Sequence, residues 1–417
     1  MNRYRRLLII ASVAVLNAAA WGIALATSPA HLPPIRVAAE FLSTSALIIM
    51  STNLLLATRA RPFEDLFGGL DKLFATHRLD GLTAASVISV HFLLMPKSVG
   101  WVPSKLIGYP TIAIIVFSVL MAVAPRAPWR RLVPLNYQTW KLGHRFMGVF
   151  VAAGVTHSFV AHPLVMGLVV PRTLVYGVAA LGLAAYAYRE TVERFVNERH
   201  VYRVGVPEHI ARDVLEIPLE PVREPIAHSP GQFAFVRFEG GPSREQHPFT
   251  ISAHPSAGRL RFSVKASGDY TRDLQSCLDS GSLARIEGPY GRFDYRRGGR
   301  RQLWLAGGIG ITPFLPFVAD VGPEFDVRLV WTVHDEAEAV YRAEIEEALA
   351  GRPHVAFSVH ATSAAGRLHV ADLGLGRPAE LSVFLCGPVP MRDAFVAQLL
   401  ELRVARAAIH YEEFSLR

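Results

Sequence analysis

Six apolar runs dominate the first half of the chain, at about residues 6–26, 36–58, 77–96, 107–124, 141–161 and 173–188. A bilayer core of about 30 Å needs about 20 apolar residues in a helix. The runs therefore predict six membrane-spanning helices, the last of them short and ending at Arg189-Glu190. From about residue 200 the texture changes. Short alternating or β-branched stretches occupy 201–206, 213–219, 232–238, 247–252 and 259–264, with turns rich in Gly, Pro and Ser between them. That pattern predicts a small antiparallel β-barrel. Beyond about 300 strand and helix patterns alternate over 302–306, 313–320, 326–333, 336–349, 354–359, 381–385 and 389–402. Such an order predicts a parallel α/β sheet. The predicted fold class is a multidomain membrane protein: a six-helix transmembrane bundle over 1–198, an antiparallel β-barrel over 199–298 and an α/β parallel-sheet domain over 299–417.

Composition and charge sharpen this picture. The 417 residues are 51% hydrophobic and 19% charged, a balance that excludes disorder, a coiled coil and a collagen-like repeat. The net charge of +8 is uneven: residues 1–188 hold 16 Lys and Arg against 5 Asp and Glu, the remainder 27 against 30. A basic excess confined to the apolar half fits loops facing anionic lipid and argues against a nucleic-acid surface. With the N-terminus inside, inner segments hold twelve basic residues and outer segments four, Arg36, Lys97, Lys105 and Arg172. This satisfies the positive-inside rule. It predicts a multi-pass protein of the inner (plasma) membrane with both termini cytoplasmic. Arg3, Arg5 and Arg6 before the first run also permit a signal-peptide reading, but the charge pattern fits only if that segment is retained. Two cysteines, Cys277 and Cys386, cannot form a disulfide framework and are expected reduced on the cytoplasmic side.

Four histidines lie in two of the apolar runs: His77 and His91 in the third, His144 and His157 in the fifth. Polar groups inside a bilayer are costly and are commonly functional, and histidine is a frequent metal and haem ligand. At 1.5 Å per residue each pair is separated by about 20 Å along its helix. The third and fifth helices run in the same direction, so His77 and His144 share the inner level and His91 and His157 the outer one. Two haems, each held by one histidine from each helix, would stack vertically. The thirteen-residue spacing of the second pair leaves its side chains about 140° apart on an ideal helix, so that helix must bend or present its ligands at different angles; Gly148 and Gly154 could permit distortion and close approach of a porphyrin. The alternative is that these histidines pack against neighbouring helices. Arg78, Lys141 and Arg145 at the inner level and Arg36 at the outer one could meet haem propionates or simply snorkel to headgroups. Glu40, one turn after Arg36, could pair with it, and Phe150 could fill the space between haems or serve as packing. His31 and His162 read as outer loop residues.

The second half carries its own chemistry. The first strand of the α/β region ends in Ala306-Gly307-Gly308-Ile309-Gly310-Ile311-Thr312-Pro313. Glycines there let the backbone close on a pyrophosphate ahead of a helix N-terminus, although the spacing is not the ordinary dinucleotide fingerprint. A later strand ends in Cys386-Gly387-Pro388 at the same carboxyl edge. The barrel region carries His247-Pro248-Phe249-Thr250-Ile251-Ser252, then Lys265-Ala266-Ser267-Gly268-Asp269-Tyr270-Thr271, then Gly288-Pro289-Tyr290-Gly291-Arg292-Phe293. Hydroxyls, glycine amides and a helix N-terminus suit a flavin diphosphate. The chain closes with an aromatic at Phe414.

In this order these segments resemble the ferredoxin–NADP reductase superfamily. The preceding spans, with histidines fourteen and thirteen apart, resemble the NADPH oxidase and ferric reductase family, and the size is similar to its compact bacterial members. The resemblance implies FAD on the barrel, NADH or NADPH on the α/β domain, and two b-type haems between the third and fifth helices. It implies metal ligation by His77, His91, His144 and His157. It assigns His247, Pro248, Phe249, Thr250 and the neighbouring Ser252 to the flavin, with Lys265, Gly268 and Thr271 at its phosphates. It assigns Gly307, Gly308, Gly310, Thr312, Gly387 and Pro388 to the nucleotide, Cys386 to the nicotinamide and Phe414 to covering the flavin. Two features depart from the family's dedicated oxidases: Met95 stands where some have another histidine, and no EF-hand segment is present.

The implied activity is transmembrane oxidoreduction. NAD(P)H would pass a hydride to FAD, and single electrons would cross the inner and outer haems to an acceptor outside. Oxygen, giving superoxide, is the favoured acceptor; ferric iron, or a periplasmic redox protein fed by this chain, are the alternatives. A transporter with a nucleotide-sensing domain is the reading of a different class. Asp335 and Glu336, after the second strand of the α/β region, lean toward NADH, while Arg367 could supply a charge for a 2′-phosphate.

Overall fold

The computed structural model describes residues 7–28, 32–95, 100, 102–123, 142–161, 163–193 and 200–411. The chain divides into two compact units, Met1–Glu193 and Arg194–Arg417.

The first unit is helical. Its described helices are α1 (Leu8–Thr27), α2 (Pro34–Leu56), the short α3 (Arg61–Phe67), α4 (Leu70–Leu94), α5 (Pro103–Val123), α6 (Met147–Val160) and α7 (Val169–Tyr188). Residues 142–145 are also helical, just before α6. Proline opens α2 and α5, where its missing N–H leaves no helical bond unmade. Gly68 ends α3 in the left-handed conformation, φ 78°, the usual helix stop. A described helix lies at each of the six apolar runs. By length and hydropathy, however, four reach a membrane span: Leu8–Thr27, Pro34–Leu56, Pro103–Ala122 and Val169–Val192. The expected count of six is not met on that measure for physical reasons. α4 is 25 residues long but carries Asp71, Lys72, Arg78 and Asp80, and α6 has 14 residues after an interruption at Phe146.

α2 is the hub and packs against α1, α4, α6 and α7. Its polar residues face partners rather than lipid: Asn17 on α1 donates to Thr44 Oγ1 (2.9 Å) and Ser45 Oγ (2.8 Å), and Trp21 Nε1 donates to Thr44 (3.2 Å). Between α2 and α7 the backbones meet closely, since a methyl at Gly182 would fall 2.4 Å from the Ser51 carbonyl oxygen. Small residues and interhelical hydrogen bonds are what hold helices together where lipid is as apolar as leucine.

The second unit begins with antiparallel strands: β1 (His200–Val204), β2 (Glu208–Ala211), β3 (Val214–Pro221), β4 (Phe233–Phe238), β5 (His247–Thr250), β6 (Leu260–Lys265) and β7 (Leu283–Tyr290), with α8 (Asp269–Cys277) before β7. The order is β2-β3-β1-β7-β4-β5, with β6 pairing β3. Ile251 and Phe262 form an isolated bridge between the β5 and β6 ends. The expected barrel is thus an antiparallel sheet without a continuous closing ladder. Alternate residues fill its core, among them Tyr202, Ile217, Leu219, Val236, Phe262 and Ile286, as period-two patterning requires.

The α/β part adds β8 (Arg301–Gly307), α9 (Phe314–Asp320), β9 (Asp326–Val333), α10 (Arg342–Leu349), β10 (Val355–Ala361), β11 (Ser382–Cys386), α11 (Val389–Glu401) and β12 (Ile409–Tyr411). All pairs are parallel, in the order β10-β9-β8-β11-β12. Trp304 and Ala306 face one core with Phe314 and Phe317, while Leu303 and Leu305 face another with Phe395 and Leu399. A sheet covered on both faces reads as near-continuous apolar strands. The chain order reverses between β8 and β11, and the carboxyl edge at such a switch point is where open α/β sheets bind ligands.

Candidate functional site

Histidines first. His77 and His91 lie on α4, His144 in the helical residues 142–145 and His157 on α6. The His77 and His144 rings face each other with centroids 6.0 Å apart and planes at 81°. A metal held by two imidazoles at about 2 Å from each nitrogen, with each nitrogen about 1 Å from its ring centre, sets ring centres roughly 6 Å apart. The separation fits a shared iron. The His77 Nδ1 is buried without a hydrogen-bond partner among the described residues. Arg189, at the start of a π-helical stretch Arg189–Glu193, acts electrostatically on both rings.

The outer histidines are anchored differently. His91 Nδ1 lies 2.8 Å from the Ala39 carbonyl oxygen on α2, and His157 Nδ1 lies 2.8 Å from the Ser104 carbonyl oxygen on α5. A carbonyl only accepts, so each Nδ1 is the donor. This is the orientation found in metal-ligating histidines, whose second nitrogen donates to a backbone carbonyl or carboxylate. One turn beyond Ser104, Gly108 makes room for the ring: a methyl there would lie 2.6 Å from His157 Cε1. The helix between His144 and His157 is interrupted at Phe146.

Several flanking residues have other duties. Arg145 donates to Glu190 (2.5 Å) and Arg36 to Glu40 (3.3 Å). Arg78 is exposed, and Lys141 lies outside the described residues. Gly148 is covered by the Tyr186 ring, while Gly154 faces open space. Phe150 packs with the core that contains Ile48, Ile49 and Val151.

In the antiparallel sheet, His247 stacks on Tyr270, with centroids 3.6 Å apart, and its Nε2 lies 3.5 Å from Glu245. Phe249 packs toward His247 and Phe262. Pro248 and Thr250 pair with Phe235 and Phe233 on β4. Thr271 shapes the start of α8: its Oγ1 accepts from the Ser267 (3.0 Å) and Gly268 (2.9 Å) amides. Lys265 Nζ sits 3.2 Å from Asp213. The Tyr270 hydroxyl is buried with no hydrogen-bond partner among the described residues, and that burial pushes its pKa up. A buried donor beside a stacked ring and a helix N-terminus leaves the chemistry a flavin would satisfy. The Ser252 hydroxyl donates to the Arg261 carbonyl (3.0 Å) and accepts from Arg261 Nε (3.2 Å).

At the switch point the structure brings together Gly307–Thr312 and Cys386–Pro388. Gly308 turns with φ 52° into open space, and a methyl at Gly310 would fall 2.4 Å from the Cys386 carbonyl oxygen. Thr312 is buried and donates to the Ile309 carbonyl (3.1 Å). Cys386 is buried at the end of β11, followed by Gly387 and by Pro388 at the start of α11. Met391 packs on Gly307 and Gly387 and accepts from Thr332 Oγ1 (3.3 Å). Phe414 lies outside the described residues. His334, Asp335 and Glu336 are exposed just beyond β9.

Two contacts that sequence reasoning did not single out join the sheet to α10. Tyr341 donates to Glu216 (2.7 Å) and lies 2.6 Å from Ser263 Oγ. Burial and the Glu216 carboxylate push the Tyr341 pKa up, so the hydroxyl stays a donor. Arg261 grips Glu344 through both terminal nitrogens (2.9 and 2.7 Å), a bidentate and strong geometry. Phe293, from the Gly288–Phe293 turn, stacks on Phe317 of α9.

Comparison with known proteins follows the same division. Residues 42–155 match the ferric reductase like transmembrane component, and residues 200–294 match an FAD-binding domain. The β subunit of phenoxybenzoate dioxygenase from Ectopseudomonas oleovorans is 32% identical over 140 residues, 33% of this chain and 41% of that protein. The toluate 1,2-dioxygenase electron transfer component of Pseudomonas putida is 26% identical over 205 residues, 46% of this chain and 60% of that protein. The chain therefore spans only about half the length of these curated relatives. A flavohemoglobin from Malassezia yamatoensis, solved with bound FAD and heme, shares fold at 18% identity and a TM-score of 0.50 over 95% of this chain and 98% of that one. One chain thus joins a ferric reductase-like transmembrane component to an FAD-binding domain, an arrangement that matches the NADPH oxidase and ferric reductase family with its ferredoxin–NADP reductase-like dehydrogenase domain.

Proposed function

We propose that this chain is a transmembrane oxidoreductase that moves electrons from cytoplasmic NADH or NADPH to an acceptor outside, with FAD and two b-type haems as its carriers. In this reading six helices span the inner membrane within residues 1–198, both termini are cytoplasmic, the barrel-like region 199–298 holds FAD and the region 299–417 holds the nucleotide. The observation that carries it is the 6.0 Å facing of His77 and His144, supported by the backbone-anchored Nδ1 atoms of His91 and His157.

FAD when bound supplies the conversion of an electron pair into single electrons, and the haems supply the one-electron path across the bilayer. The chain's own residues do the rest. His77 with His144 would hold one haem and His91 with His157 the other, and two-histidine ligation suits electron transfer. His247, Pro248, Phe249, Thr250, Lys265, Gly268 and Thr271 would hold the flavin. Gly307, Gly308, Gly310, Thr312, Gly387 and Pro388 would hold the nucleotide, with Cys386 beside the nicotinamide and Phe414 against the flavin.

Oxygen, reduced to superoxide, is the favoured acceptor. Ferric iron is the second reading, favoured by the match of residues 42–155. Purified, FAD-supplied protein given NADH or NADPH tests both: rapid oxygen consumption with superoxide supports the oxidase, and ferrous-iron formation that persists without oxygen supports the reductase. A stable complex with a soluble redox protein from the periplasm, combined with poor rates on both acceptors, would point to an electron-supplying subunit. Haem content of two per chain, falling in His77→Ala and His91→Ala, is the accompanying check; haem-free folded protein overturns the proposal.

A further inference from the structure

We infer that Glu40 is the positioning residue that fixes the outer haem site, an inference that rests on the two-haem reading above. Glu40 lies on α2 and is 2% exposed. Its carboxylate is bound at both oxygens. Oε1 accepts from the Leu164 amide (2.9 Å) and from Arg36 Nε (3.3 Å), and Oε2 accepts from the Val165 amide (3.0 Å). Two successive backbone amides on one buried carboxylate form a charge-assisted clamp.

What the clamp holds is the point. Leu164–Gly167 is the turn between α6 and α7, and it starts seven residues after His157. The residue before Glu40 is Ala39, which is fully buried, and its carbonyl oxygen accepts a hydrogen bond from His91 Nδ1 (2.8 Å). Adjacent residues of α2 thus orient His91 directly and tether the chain that leaves the His157 helix. One short segment of α2 sets both outer ligands in a common frame. The inner ligands His77 and His144 have no part in it, so a defect at Glu40 falls on the outer haem alone. Arg36, 38% exposed, is the partner at the rim of this buried carboxylate.

Glu40→Gln keeps the shape and one acceptor oxygen but sets an NH2 donor against an amide donor. Glu40→Ala removes the clamp. Arg36→Gln leaves both amide contacts. Loss of a group that orients a metal ligand typically costs about 10- to 100-fold in metal affinity. Full-length protein of each variant is assayed for haem per chain, for low-spin EPR components and by anaerobic redox titration of the haem bands. Glu40→Ala is expected to fall from two haems per chain to one. Glu40→Gln is expected to lose or shift the outer component in the EPR spectrum and in the titration. Arg36→Gln is expected to retain two haems per chain, because both amide contacts remain. Two unaltered low-spin haems in both Glu40 variants would overturn the inference while leaving the two-haem reading standing. So would joint loss of both haems in both variants, since Glu40 would then merely hold the bundle together. A parent protein without haem would overturn the reading itself.

Discussion

Replacing Gly108 with alanine is the sharpest test of how the helical unit builds its outer ligand. The added methyl would lie 2.6 Å from His157 Cε1, 2.7 Å from Nδ1 and 3.2 Å from Nε2. Carbon contacts settle at about 3.5–4.0 Å, so the ring must retreat by roughly 1 Å. Its anchor to the Ser104 carbonyl is 2.8 Å long, and a hydrogen bond stretched by that amount is no longer one. The direct loss is about 1 kcal/mol, too little to unfold the unit. Metal coordination is far less forgiving, tolerating about ±0.2 Å. Gly108→Ala is therefore expected to lower haem content from two per chain toward one, to add a high-spin component to the EPR spectrum and to leave the inner haem untouched. Gly154→Ala on α6 is the control, because nothing lies within 4 Å of the added methyl. Both haems retained, low-spin and at unchanged potentials in Gly108→Ala would refute the reasoning.

Three other expectations address the second unit. Gly310→Ala sets a methyl 2.4 Å from the Cys386 carbonyl oxygen and should raise KM for the nicotinamide nucleotide about tenfold or more with FAD retained, as steady-state kinetics and flavin content will show; an unchanged KM would separate the two loops functionally. Burial holds the His228 pKa below its ordinary 6.5, with the ring nitrogen 3.3 Å from the Ala253 carbonyl. The unfolded chain then binds the extra proton as pH falls below about 6.5, so stability present above that pH is lost below it; thermal melts followed by flavin release should drop between pH 7 and pH 5, and less steeply in His228→Gln. Asp335 and Glu336 at the carboxyl end of β9 should favour NADH over NADPH by about tenfold in kcat/KM, roughly 1.4 kcal/mol. Asp335→Ala should narrow that ratio, and faster turnover with NADPH in the parent protein would count against the assignment.

What the chain shows in one dimension depends on the kind of signal. The parallel sheet was legible because the apolar stretches Leu303–Ala306, Leu329–Trp331 and Val383–Cys386 alternate with helical stretches. β2 and β12, of four and three residues, are too short to show a period. β7 hides behind Glu287 and the Gly288-Pro289 pair. In the helical half, histidines stand out against an apolar background, while the interruption falls at Phe146 and not at Gly148 or Gly154. Their anchors did not stand out, since Ala39 and Ser104 act through carbonyls that every residue has. Gly108 acts by having no side chain. The Arg36–Glu40 pairing is local and readable at four residues' spacing, whereas the clamp on Leu164 and Val165 joins positions 124 and 125 apart. Arg36 pairs with Glu40 one turn away, whereas Arg145 meets Glu190 across 45 residues, a pairing that spacing alone does not show.

The central claim is that one chain links nicotinamide, flavin and two haems in series. An anaerobic absorbance spectrum of purified, FAD-supplied protein, taken before and after NADH or NADPH is added, tests it directly. The account predicts growth of a reduced b-haem α-band, which collapses when oxygen or a ferric chelate is admitted. Haem that stays oxidised beside reduced flavin, or folded protein that carries no haem, would contradict it.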